Sequence, residues 1–146
     1  MSTEEKITLR AGLEQFYKEN EEYFGHHDLA MSDKAKAFLE AHDAAHVLFD
    51  CDISLFGEGS VKIWTIFGTT LGFWKHISEY KEAQAFELAR TFSFWHVVNN
   101  TFKFLFTIPK LIYRAKRMNK PWPWLGFESY LDTPINEIRK EYNITV

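Results

Sequence analysis

Ala41-His42-Asp43-Ala44-Ala45-His46-Val47-Leu48, inside a longer run from Ser32 to Phe49, decides how this chain is read. Ser32 is a natural N-cap with Asp33 in the first turn after it. Ala35, Phe38, Leu39, His42, His46 and Phe49 recur at the i, i+3, i+4, i+7 spacing of an amphipathic helix, so this set is the expected buried stripe. His42 and His46 then lie about 40° apart on one face, one turn above the other, with Asp43 about 100° from His42. An uncompensated polar group in a core costs about 1–3 kcal/mol. Two histidines in the buried stripe therefore need partners.

Glu58 follows His46 after eleven intervening residues, between Gly57 and Gly59. Flanking glycines signal a chain reversal, and a short turn there would fold Glu58 back toward the histidines. Two imidazoles with one or two carboxylates suit zinc first, with iron, manganese and cobalt also admitted. His42, Asp43, His46 and Glu58 are the expected metal set, with Asp43 as a fourth ligand or as an anchor behind a ligand. Asp50 or Asp52 could support a ligating histidine from the connection. His26 and His27 read as solvated loop histidines.

Outward from this stretch the chain reads as all-α: a single compact domain, residues 1–146, of about five to six helices. A length of 146 residues fits one domain that buries about two-thirds of its chain surface. The apolar set Ile7, Leu9, Leu13, Phe16, Tyr17 and Tyr23 predicts a helix over 3–24. A third helix is expected over 60–76 and is apolar nearly all round, at Val61, Ile63, Trp64, Ile66, Phe67, Leu71 and Trp74. A fourth is expected from Glu79 past Phe102, including Phe86 and Phe92, with Pro109 breaking or kinking the pattern. Thr133-Pro134 opens a last short helix. Trp122 and Trp124 read as exposed. No stretch alternates as a strand does.

Composition narrows the classes. The chain is too apolar and aromatic for disorder. Its single cysteine, Cys51, excludes a disulfide framework, fits a reducing compartment and reads as a packed thiol. The start lacks the apolar core of a signal peptide, and no run is long and apolar enough to span a membrane. Charge is uneven: residues 1–58 hold five Lys+Arg and thirteen Asp+Glu, residues 59–146 twelve and seven. From Lys103 to Lys120 there are six basic residues and no acid. With Phe, Leu and Ile interleaved, that stretch fits a membrane surface or a substrate anion, through Lys103, Lys110, Arg114 and Arg117, better than nucleic acid. A core helix with a basic solvent face is the plain alternative.

His42-Asp43-x-x-His46, eleven residues, then Gly57-Glu58 resembles the HDxxH-x(11)-E signature of the Coq-four family of coenzyme Q (ubiquinone) biosynthesis proteins. Val47-Leu48 and the stretch Asp132-Thr133-Pro134-Ile135-Asn136-Glu137-Ile138-Arg139-Lys140 are also similar to that family. The resemblance implies a helical protein that binds a divalent metal through His42, Asp43, His46 and Glu58. It implies membrane association and partners among other quinone-biosynthesis enzymes. It also implies a role in exchanging the ring C1 carboxylate of a prenylated benzoate precursor for a hydroxyl, by oxidative decarboxylation, or else a scaffold role. Trp64, Phe67, Phe92 and Phe106 would then enclose a prenyl tail. The expected partners are an isoprenoid or prenylated quinone precursor, those enzymes, a membrane surface and a second copy in a homodimer. Shorter than mitochondrial members and without a presequence, the chain is expected to be bacterial, cytoplasmic and peripheral at the inner membrane. Two readings stand beside this one: a non-catalytic prenyl-lipid-binding scaffold, and a metal phosphohydrolase of the HD type.

Overall fold

The structure is a computed structural model that describes residues 7–24, 32–72 and 94–146, with side chains over 7–22, 32–72 and 101–146. These residues are all-α. Their elements are α1 (Leu9–Glu19), α2 (Glu21–Phe24), α3 (Asp33–Leu48), α4 (Leu55–Gly68), α5 (Phe94–Lys116), a 3-10 turn (Phe127–Tyr130) and α6 (Ile135–Tyr142). Extended pairing among them is limited to two isolated bridges, Thr8 with Pro134 and Thr69 with Trp122.

Hydroxyl side chains start the first three long helices. Thr8 Oγ1 accepts from the Ala11 N–H, Ser32 Oγ from Ala35 and Ser54 Oγ from Gly57, each satisfying a backbone donor that the first turn leaves free. α3 packs against both α1 and α4, and α4 packs most extensively against α5. In its second half α3 is buried almost all round, because Ala41, Ala44 and Ala45 let its neighbours approach on the sides the stripe leaves open. Phe49 stacks on Trp64 of α4, with ring centroids 4.6 Å apart and planes within 8°. The tail closes the bundle: Leu9 and Arg10 N–H donate to Thr133 and Leu131, and Ile135 N–H to Ile7.

Several expectations change. α4 begins at Leu55, so Gly57 and Glu58 lie in its first turn rather than in a chain reversal. The reversal occupies residues 50–54 and uses Asp50 at φ 52°. The helix also ends at Gly68, short of the expected 76, because the Trp122 N–H takes the Gly68 carbonyl and Thr70 N–H returns to Trp122. Pro109 does not break α5, which runs through it to Lys116. Pro109 and Leu105, the residue whose carbonyl it leaves without a helix donor, both lie on the exposed side of α5, where the missing bond is best tolerated. Trp122 and Trp124 are among the most buried side chains, not exposed. Trp122 packs among Tyr130 and Tyr142, and Trp124 against Phe38. α1 starts at Leu9, and the expected helix start near Glu79 lies outside the described residues.

Candidate metal centre

The centre forms where the middle of α3 meets the first turn of α4. His42 and His46 present their rings from one side at a centroid separation of 4.6 Å. Glu58 enters from the other, four residues into α4 after the Ser54 cap. Its Oε1 lies 3.2 Å from His46 Nε2 and its Oε2 3.6 Å from His42 Nε2. One ligand atom from each of the three residues falls within 4.8 Å of the others. Donor atoms about 2.1 Å from a tetrahedral zinc are about 3.4 Å from one another. The two histidine–carboxylate separations, 3.2 and 3.6 Å, lie near that edge.

Hydrogen bonding explains why these nitrogens face inward. His46 Nδ1 is 2.9 Å from the Cys51 carbonyl, which can only accept, so Nδ1 carries the proton and Nε2 keeps its lone pair in the neutral ring. Both Nε2 atoms are buried without a hydrogen-bond partner, since the contact of His46 with Glu58 is close but not aligned as a hydrogen bond. Lone pairs turned toward a carboxylate repel unless a cation or a proton lies between them. Burial opposes charging of His46, but the charge and acceptor oxygen of Glu58 outweigh it and raise the imidazole above its ordinary value. Burial likewise pushes Glu58 up, and the two histidines pull it net downward. A proton and a divalent cation therefore compete for the same place between these groups.

Asp43 is buried but stands outside the group of three. Its Oδ2 accepts from Tyr17 Oη at 3.0 Å, while Oδ1 is 3.7 Å from His42 Nδ1, the nitrogen turned away from Glu58. That position suits the anchor role and orients His42 from behind. Asp50 and Asp52 do not reach the histidines: Asp52 Oδ1 accepts from Ser54 N–H and hydroxyl and shapes the turn before α4. The supporting partners are Tyr17, Asp43 and the Cys51 carbonyl. Cys51 itself is a packed thiol, pushed by burial up to about 12. His26 and His27 lie outside the described residues.

Three neighbours escaped the sequence reading. Phe16 stacks on His46 with centroids 5.4 Å apart. Tyr17 counted as apolar, although a hydroxyl on the buried face of α1 is itself a signal for a polar partner. Lys62 lies one turn after Glu58, half-buried; burial lowers its pKa and the nearby Glu58 opposes that. Its i+4 spacing from Glu58 was the available clue.

Lys103, Lys110 and Arg117 are exposed on α5 or just past it, and Arg114 is half-buried. Arg117 Nη1 donates to Tyr113 Oη at 3.2 Å. These basic groups are not part of the metal cluster. Of the four residues expected to enclose a prenyl tail, three are described. Trp64 is committed to the core against Phe49, and Phe67 and Phe106 are exposed on the surface. Phe92 lies outside the described residues. No helix among the described residues is long and apolar enough to cross a membrane. No protein-family model matches the chain, and neither a curated protein nor a solved structure matches it.

Proposed function

We propose that this chain is a metal-dependent protein of isoprenoid-quinone biosynthesis that takes a prenylated aromatic precursor at a membrane surface and acts at ring C1, in oxidative decarboxylation. One observation carries the metal dependence: His42, His46 and Glu58 converge from two helices with both Nε2 atoms buried and unpartnered. The quinone assignment rests on the spacing of those same residues and its resemblance to the Coq-four signature.

Among the described residues three protein ligands converge, a number that leaves a coordination position for a substrate, as catalytic centres require and closed structural sites do not. This favours an enzyme over a scaffold with a structural metal. When bound, a divalent cation supplies a Lewis acid for a ring carboxylate or phenolate. The chain's own residues do the rest. Tyr17 and Asp43 hold the His42 ring, the Cys51 carbonyl fixes the His46 tautomer, and Lys62 adds positive charge on the Glu58 side for an anionic head group. The HD-type phosphohydrolase reading gains nothing here, since the described residues bring no further Asp or His to the cluster.

Native mass spectrometry of the full chain as purified tests this directly. The expected result is one divalent ion, absent in His46→Ala, together with an isoprenoid-sized adduct. Incubation with a prenylated hydroxybenzoate under air, with dioxygen as the oxidant and the source of the ring hydroxyl, then releases carbon dioxide in the wild type and not in the variant. A folded, metal-free wild type that takes up no added zinc overturns the proposal.

A further inference from the structure

α5 carries two opposite apolar faces, and among the described residues only one of them has a partner. Counting about 100° per residue, Leu111 and Ala115 share the side that packs into the core. Phe104, on the same side, stacks on Phe56 of α4 at 5.1 Å. Across the helix, Phe102, Leu105, Phe106 and Tyr113 fall within an arc of about 100°. They are 63%, 62%, 82% and 60% exposed. Lys110 and Lys103 run along one edge of that arc, about 40° and about 60° beyond Phe106. Four large apolar side chains in one outward arc form a patch that soluble surfaces rarely carry.

We infer that the outer face of α5 is a membrane-insertion surface for an anionic bilayer, with the aromatic arc entering the acyl boundary and the lysines at the head groups. Charge selects the occupant. Six basic residues and no acid lie between Lys103 and Lys120, so an antiparallel second copy on this face would add like charge along the same edge, whereas anionic head groups neutralise it. An apolar stripe with a cationic border is the pattern of helices that lie in the interfacial plane. The sequence reading gave the contact to the basic residues alone; the structure gives the greater part of it to the aromatic arc. This inference deepens the membrane-surface part of the proposed function and rests on that reading only there.

The full chain, zinc-loaded, is sedimented with vesicles of phosphatidylcholine alone and with vesicles that also contain phosphatidylglycerol. Binding is expected only to the second, and weaker as salt rises. Phe106→Ser should lower the partition coefficient about tenfold or more, and Lys103→Glu with Lys110→Glu should abolish the preference for anionic vesicles. Both are surface changes, so the melting temperature and the zinc stoichiometry should stay at wild-type values; those two readouts separate failure of this surface from failure of the metal centre. No sedimentation of the wild type overturns the inference. So does a dimer by light scattering that Phe106→Ser dissolves while vesicle binding persists.

Discussion

Replacing Gly57 by alanine sets two physical effects against each other, and the structure says which wins. Gly57 is in the first turn of α4, where helix propensity alone favours alanine by about 1 kcal/mol. A Cβ there would stand 2.0 Å from the Asp52 carbonyl oxygen, 2.1 Å from Asp52 Oδ1 and 2.6 Å from the Asp52 carbonyl carbon. Two of these contacts are backbone atoms and cannot rotate away. Restoring ordinary contact means moving the 50–54 turn by about 1.4 Å, and forced overpacking of this kind costs about 1–3 kcal/mol. With the cost near the upper end, the net loss is about 2 kcal/mol, or a fall of about 4–8 °C in melting temperature for a chain of this size. The same turn carries the Cys51 carbonyl that orients His46, so zinc affinity should fall with it, by about tenfold. Thermal melts followed by circular dichroism, with chelator and with zinc, measure the first effect; competition with a chromophoric chelator measures the second. A Gly57→Ala protein as stable as the wild type would refute the packing argument. A destabilised one with unchanged zinc affinity would refute the coupling.

Tyr17→Phe removes the donor to Asp43 without touching a ligand, and should weaken zinc about 10–100-fold while His46→Ala abolishes binding; equal affinity of Tyr17→Phe and wild type would strip Asp43 of its anchoring role. The pH dependence of the metal-free chain has a definite sign. Because His46 is raised above its ordinary 6.5, its contribution is complete below about that pH and fades as pH rises through the raised value. Glu58, lowered from 4.5, contributes above about that pH and loses its effect as pH falls through the lowered value. Denaturation midpoints should therefore be best near pH 5–6 for this pair without metal, whereas zinc, which must displace the proton, stabilises more as pH rises; a His46→Ala midpoint that tracks the wild type across this range would contradict it. Arg139 donates from Nε to the Leu48 carbonyl at 2.8 Å and from Nη2 to Val47 at 3.2 Å, tying α6 to the last turn of α3. Arg139→Ala should cost about 1.5–3 kcal/mol by urea midpoint, and Arg139→Lys should not restore it, since an ammonium lacks the fork for both carbonyls.

By itself the sequence determined what depends on local spacing. The histidines at i and i+4, the Ser32 cap, the buried stripe of α3 and the all-α character all follow from the helical period, which neighbouring residues carry without knowledge of the fold. Glu58 was marked by its flanking glycines, read as a reversal, and by the resemblance of its spacing to the Coq-four signature. Tertiary structure decided what depends on residues distant in the chain. Gly57 and Gly59 look like a reversal, yet both are helical, and each is glycine because something approaches from outside: the Asp52 backbone at one, the Phe104 ring at the other. Pro109 stays inside α5 because its missing hydrogen bond falls on the exposed side. Trp122 and Trp124, flanked by prolines, look like surface residues until Tyr130, Tyr142 and Phe38 close over them. Asp43 turns to Tyr17, a partner on another helix that no local pattern identifies. The outward arc of α5 reads in sequence as more core; only the packed bundle shows that its other face fills that place.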